Sequence, residues 1–140
     1  MNSPKRDSGI FRNIETVAVF SKLWWQKDRA NIRVTGFRDS IDLILGDAAE
    51  VIHKINGPFD LIFQDSDKTL YPVMLDRCIE LVRVGGMILA DDALFKPMKV
   101  REELGDPVHH YLQEIFADRR LYNTILPIGD GLALSVKIAE

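Results

Sequence analysis

One cysteine, no excess of either charge sign and no long apolar run: each of these shortages removes a class of protein. A lone thiol, Cys78, rules out an internal disulfide, and its neighbours Ile79, Leu81 and Val82 mark a buried helix position rather than a reactive one. The 18 basic and 21 acidic residues are scattered along the whole chain and leave a net charge of −3. No basic stripe exists to neutralise a phosphate backbone, which argues against nucleic acid as a partner. The longest apolar stretches, such as Gly85 to Ala90, fall far short of the roughly 20 residues that a membrane helix needs. Met1 to Arg12 is too polar for a signal peptide, so the expected location is cytoplasmic, with no membrane partner. What is present is ordinary for a folded protein: 140 residues, 46% hydrophobic and 28% charged, enough for a single domain, 1–140, with a real core.

Short β-branched runs alternate with segments of helical period, the pattern of a parallel α/β sheet. The expected strands are Ile14 to Phe20, Ile41 to Leu45, Phe59 to Gln64 and Met87 to Ala90. The expected helices are Lys22 to Val34, Ala48 to Ile55 and Tyr71 to Val84, the last stopped by Gly85-Gly86. Ala93 to Pro107 reads as a loop because it holds Pro97 and Pro107, and Val108 to Ala117 reads as a further helix. Leu121 to Leu126 and Leu132 to Ile138 flank "PIGDG", whose Gly129, Asp130 and Gly131 suit a reversal, so the chain should end in an antiparallel hairpin.

In open parallel sheets ligands lie beyond the carboxyl ends of the strands. Those ends deliver Gly46-Asp47, Asp65-Ser66-Asp67-Lys68 and Asp91-Asp92. Capping of the following helix accounts well for Asp47. It accounts poorly for Asp65 beside Asp91 and Asp92, because like charges on adjacent strand tips repel unless a cation offsets them. The segment "DSDKTL" resembles the haloacid-dehalogenase phosphatase signature, with Asp65 as nucleophile and Asp67 as acid. Only one helix and one strand separate Asp65 from Asp91, however, fewer than that architecture places before its distal acids.

A second resemblance covers far more of the chain. "GDA" at Gly46 to Ala48, "PFDLIFQDSDKTLY" at Pro58 to Tyr71, "LVRVGGMILADDAL" at Leu81 to Leu94 and "PIGDGLAL" at Pro127 to Leu134 occur in order and at matching spacing. Together they resemble the cation-dependent O-methyltransferases of the catechol and caffeoyl-CoA type. The resemblance implies a Rossmann-like class I methyltransferase sheet, mostly parallel with the terminal hairpin, and a small hydroxylated acceptor, catechol-like or phenolic. It implies S-adenosylmethionine as methyl donor beside Gly46, Asp47 and Ala48. It implies magnesium or another divalent cation on Asp65, Asp91 and Asp92, Lys68 as the base, and Tyr71 bordering the substrate. Asp67 should stand behind the ligands. A lysine beside such a cation has its pKa pulled down, which suits it to accept a proton near neutrality. Asp92 occupies the place of the family's asparagine, so tighter cation binding is expected.

The chain departs from the family at its amino end. Nothing before Ile14 matches the family's first strand and glycine turn, and the position that holds the ribose, Ala18 or Val19, cannot accept a hydrogen bond. The expected sheet therefore lacks its first strand, and the gap should be filled by a rearranged strand or a second copy. Ile10-Phe11 and Leu23-Trp24-Trp25 offer apolar surface for such packing, and a homodimer is expected. The alternative to a working enzyme is a non-catalytic remnant serving as a metal-binding or dimerisation module. His53 reads as a structural or surface group, His109-His110 as no metal pair because adjacent helix residues do not face one another, and the Lys96, Lys99, Arg101 cluster as a solvated loop rather than a hold for an anionic substrate tail.

Overall fold

The computed structural model describes residues 16–20, 30, 41–99 and 101–140. Its contacts divide the chain into two compact units, Met1–Asp47 and Ala48–Glu140. In the first, β1 (Thr16–Phe20) and β2 (Ile41–Leu45) form a parallel pair in register from Thr16↔Ile41 to Phe20↔Leu45. The expected helix Lys22 to Val34, the start of the first strand at Ile14, Ile10-Phe11 and Leu23-Trp24-Trp25 lie outside the described residues.

The second unit runs α1 (Ala48–Val51), β3 (Phe59–Gln64), α2 (Leu70–Leu81), β4 (Val82–Asp91), α3 (Phe95–Met98), α4 (Glu102–Ala117), β5 (Leu121–Leu126) and β6 (Leu132–Lys137). Its four-stranded sheet has the order β3-β4-β6-β5. β3 and β4 are parallel and joined through α2, whereas β6 is antiparallel to both neighbours, which is the expected hairpin. Among the described residues β3 is hydrogen-bonded along one edge only, to β4.

Alternation along the strands gives the sheet two unlike faces. Ile88, Ala90, Ala133 and Leu121 join one buried cluster with Tyr71, Met74, Leu75, Cys78 and Ile79 of α2 and Val108, Tyr111 and Ile115 of α4. On α2 these are positions i, i+3, i+4, i+7 and i+8, one stripe of a helix. Complete burial of Ile88 or Ile115 contributes about 2 kcal/mol each. The opposite face carries Leu61 and Phe63 of β3, Met87 of β4 and Tyr122 of β5, all exposed. No helix among the described residues is long and apolar enough to cross a membrane.

Two boundaries differ from the sequence expectation. The glycine pair does not stop α2: that helix ends at Leu81, Val82 turns extended, and Gly85-Gly86 lie inside β4. The ladder slips there, β3 advancing from Phe59 to Leu61 while β4 advances from Val82 to Met87. Gly86 permits the crowding, since a Cβ on it would lie 3.0 Å from the Asp60 carbonyl. Residues expected as loop up to Pro107 instead contain α3 and the first turns of α4, with Pro107 inside the helix. Burial of Val108, Tyr111 and Ile115 outweighs the one hydrogen bond that proline removes.

Candidate active site

The carboxyl tips of β3 and β4 are neighbours because Gln64 pairs with Ala90, and the next residue on each strand is Asp65 or Asp91. One carboxylate oxygen from each of Asp65, Asp91 and Asp92 lies within 4.8 Å of the other two. The backbone arranges this at some cost: Asp92 has φ 63°, a left-handed conformation that only glycine adopts freely. Its amide donates to Asp91 Oδ1 at 2.9 Å, fixing one carboxylate by the next residue's backbone. The loop beyond is tied to the β5–β6 turn, the amides of Ala93 and Leu94 donating to the carbonyls of Gly131 and Asp130 at 2.9 and 2.8 Å. Gly131, at φ 91°, makes this approach possible, because a Cβ there would lie 2.8 Å from the Leu94 amide nitrogen.

Lys68 enters the same cluster from the turn before α2. Its Nζ donates to Asp65 Oδ1 at 3.0 Å and Tyr71 Oη at 2.9 Å, and pairs with Asp92 Oδ2 at 2.7 Å. An ammonium has three donors, and all three are used. Burial alone would pull the pKa of Lys68 down, but the hydrogen bonds to Asp92, Tyr71 and Asp65 outweigh it, so the net shift is upward. In this state Lys68 is a firmly held cation.

Two further residues position it. Asp67 Oδ1 accepts from the Thr69 amide at 3.0 Å and the Thr69 hydroxyl at 2.7 Å, closing the turn that aims Lys68 inward. Those bonds hold the Asp67 carboxyl below its ordinary range. Tyr71, expected to border the substrate, is fully buried beneath Lys68. Its hydroxyl donates to the Gln64 carbonyl at 2.8 Å, its ring meets Tyr111 edge-on at 5.5 Å, and burial pushes its pKa up to about 12. The side-chain amide of Gln64 is buried with no hydrogen-bond partner among the described residues, a feature for which the sequence carried no signal.

Gly46 and Asp47 close the first unit and Ala48 opens α1 of the second. Cys78 is buried and its thiol is pushed up to about 12, consistent with an inert core position. His53 is exposed, His110 Nε2 faces Glu114 at 3.4 Å, and Lys96 pairs with Asp106 at 3.0 Å.

Comparison with known proteins gives the chain's relatives. The family model described as O-methyltransferase matches residues 20–138. Caffeoyl-CoA O-methyltransferase 1 of Eucalyptus globulus is 32% identical over 124 residues, covering 77% of this chain and 50% of that protein. Catechol O-methyltransferase domain-containing protein 1 of Mus musculus is 30% identical over 107 residues, covering 70% and 41%. The chain thus spans about half the length of the curated relatives it matches. Among solved structures, the SAH-bound methyltransferase of Podospora anserina superposes with a TM-score of 0.77 at 23% identity, covering 89% of this chain and 61% of that one. The O-methyltransferase of Bacillus cereus in complex with SAH gives 0.76 at 21%, covering 86% and 61%. At these identities the superpositions establish a class I methyltransferase fold.

Proposed function

Because the chain belongs to the O-methyltransferase family, we propose that it carries the metal- and base-bearing part of an S-adenosylmethionine-dependent O-methyltransferase whose acceptor is a small catechol-like or phenolic hydroxyl compound. The observation behind this reading is the convergence of three carboxylates and a lysine on two adjacent strand tips. The donor set suits a hard divalent cation, since Asp65, Asp91 and Asp92 offer only oxygen, the ligand preferred by magnesium and calcium. Such a cation, when bound, supplies chelation of two neighbouring hydroxyl oxygens and lowers the pKa of the attacking one.

Methyl transfer from a sulfonium is an in-line displacement, so the protein's main tasks are alignment and removal of one proton. Lys68 Nζ is the group to receive that proton, after its own has been released to bulk solvent. Gly46, Asp47 and Ala48 match the family segment beside the adenine of S-adenosylmethionine, and the two solved relatives named with SAH support use of that cofactor. The haloacid-dehalogenase alternative gives way to the family match.

The test is incubation with S-adenosylmethionine, magnesium and catechol, with S-adenosylhomocysteine measured by mass spectrometry. Product should form, EDTA should abolish it, and Lys68→Met should lower kcat about a hundredfold or more, the usual contribution of a positioned base. Magnesium binding without any product would overturn the catalytic reading and leave a metal-binding module.

A further inference from the structure

We propose that Lys68 is the site's own counter-ion: its ammonium and a divalent cation are alternative occupants of the Asp65 and Asp92 carboxylates, and the cation binds by displacing the ammonium, which Tyr71 retains. This rests on the metal reading above and adds to it a competition internal to the chain.

The geometry supplies each part of the exchange. Three carboxylates within 4.8 Å of one another repel strongly unless a positive charge offsets them. Lys68 supplies that charge from a side chain only 8% exposed, and its shortest contact, 2.7 Å, is to Asp92. Asp92 stands where the family pattern carries asparagine, which has no charge to hold an ammonium, so the additional carboxylate has an ion-pair partner of its own. The left-handed backbone at Asp92 sets where its carboxylate leaves the chain, and the bond from its amide to Asp91 Oδ1 fixes the neighbouring carboxylate. A cation drawing on Asp65 and Asp92 together therefore takes acceptors that Lys68 now uses.

Tyr71 explains why the ammonium would stay nearby. Its hydroxyl hydrogen is spent on the Gln64 carbonyl, leaving an oxygen lone pair directed at Lys68. The ring lies 4.9 Å from Nζ and gives a second, electrostatic hold through its face. Fully buried, Tyr71 cannot follow the lysine outward, so it is a fixed anchor, whereas Asp65 is the exposed and movable one. Linkage makes the effect reciprocal: whatever strengthens the Lys68–Asp92 pair weakens cation binding by the same factor.

The test reads binding rather than turnover. Calorimetric titration with magnesium alone should show Lys68→Met binding about tenfold tighter than wild type, within the ordinary range of coupling between two sites. The gain should shrink in the Asp92→Asn background. In the wild type, the Lys68 Cε resonance followed by NMR should move with magnesium and saturate at the calorimetric Kd, a readout that does not depend on the variant folding. Equal or weaker binding by Lys68→Met, or a Lys68 resonance that ignores bound magnesium, overturns the exchange while leaving the metal site intact. Binding only by Lys68→Met supports it in its strongest form. If neither protein binds magnesium, the metal reading itself fails and takes the exchange with it.

Discussion

Asp67 turns the chain between the strand tip that carries Asp65 and the helix that carries Tyr71. Its contribution depends on ionisation, and the sign follows from the direction of its shift. The folded-state pKa is lowered from 3.8, so the stabilisation is present above 3.8 and is lost as pH falls through the depressed value. Asp67→Ala should accordingly melt below wild type at pH 7, with the gap closing in strong acid; thermal unfolding by circular dichroism checks this. Much at this scale was legible. Asp65, Lys68, Asp91 and Asp92 could be placed because each follows a short apolar run whose end fixes where its side chain emerges. The burial of Tyr71 has a sequence signal too, since Met74, Leu75 and Cys78 follow it at i+3, i+4 and i+7. The left-handed backbone of Asp92 and the orphaned amide of Gln64 had no sequence signal, because both arise from contacts distant along the chain.

Among the elements, the β5–β6 turn matters most to the site although it contributes none of the cluster's side chains. Gly131 lets the turn close on Ala93 and Leu94, immediately after Asp92. Gly131→Ala should cost about 2 kcal/mol or more through its positive φ and the crowding at Leu94, and should weaken magnesium binding as well. Gly129→Ala is the control: φ is 56° but nothing lies within 4 Å, so about 1 kcal/mol is lost and cation affinity is kept. Urea unfolding and calorimetry on the two variants separate these outcomes. The strands β2, β3, β5 and β6 were legible from alternation and turn residues. The start of β4 and the early turns of α4 were not, because Gly85-Gly86 and Pro107 read as breakers whereas a strand irregularity and core packing absorb them.

For the whole molecule, the feature that bears on partners is the exposed sheet face of the second unit. Phe63 is 57% and Tyr122 72% exposed, on the side opposite the helices α2 and α4. A symmetric pair of copies would bury such a face against itself, and a homodimer is our proposal at this scale. Light scattering should give twice the chain mass, and Phe63→Lys should reduce it to the single mass; a monomeric wild type refutes the dimer, and an unaffected dimer moves the contact elsewhere. The family pattern made a mostly parallel sheet with a terminal antiparallel hairpin legible, whereas the division into two units was not, since no break in composition marks it.

The edge-on stacking of Tyr71 against Tyr111 has one more consequence. The residue that steadies the lysine is also a keystone between α2 and α4, so the chemistry and the fold share a single foundation. Amides around Tyr71 should exchange with solvent only through global opening, at the slowest rate in the chain. Fraying cannot disarm such a site piecemeal: it lasts as long as the interior does, and any substitution that loosens the interior is felt at the strand tips.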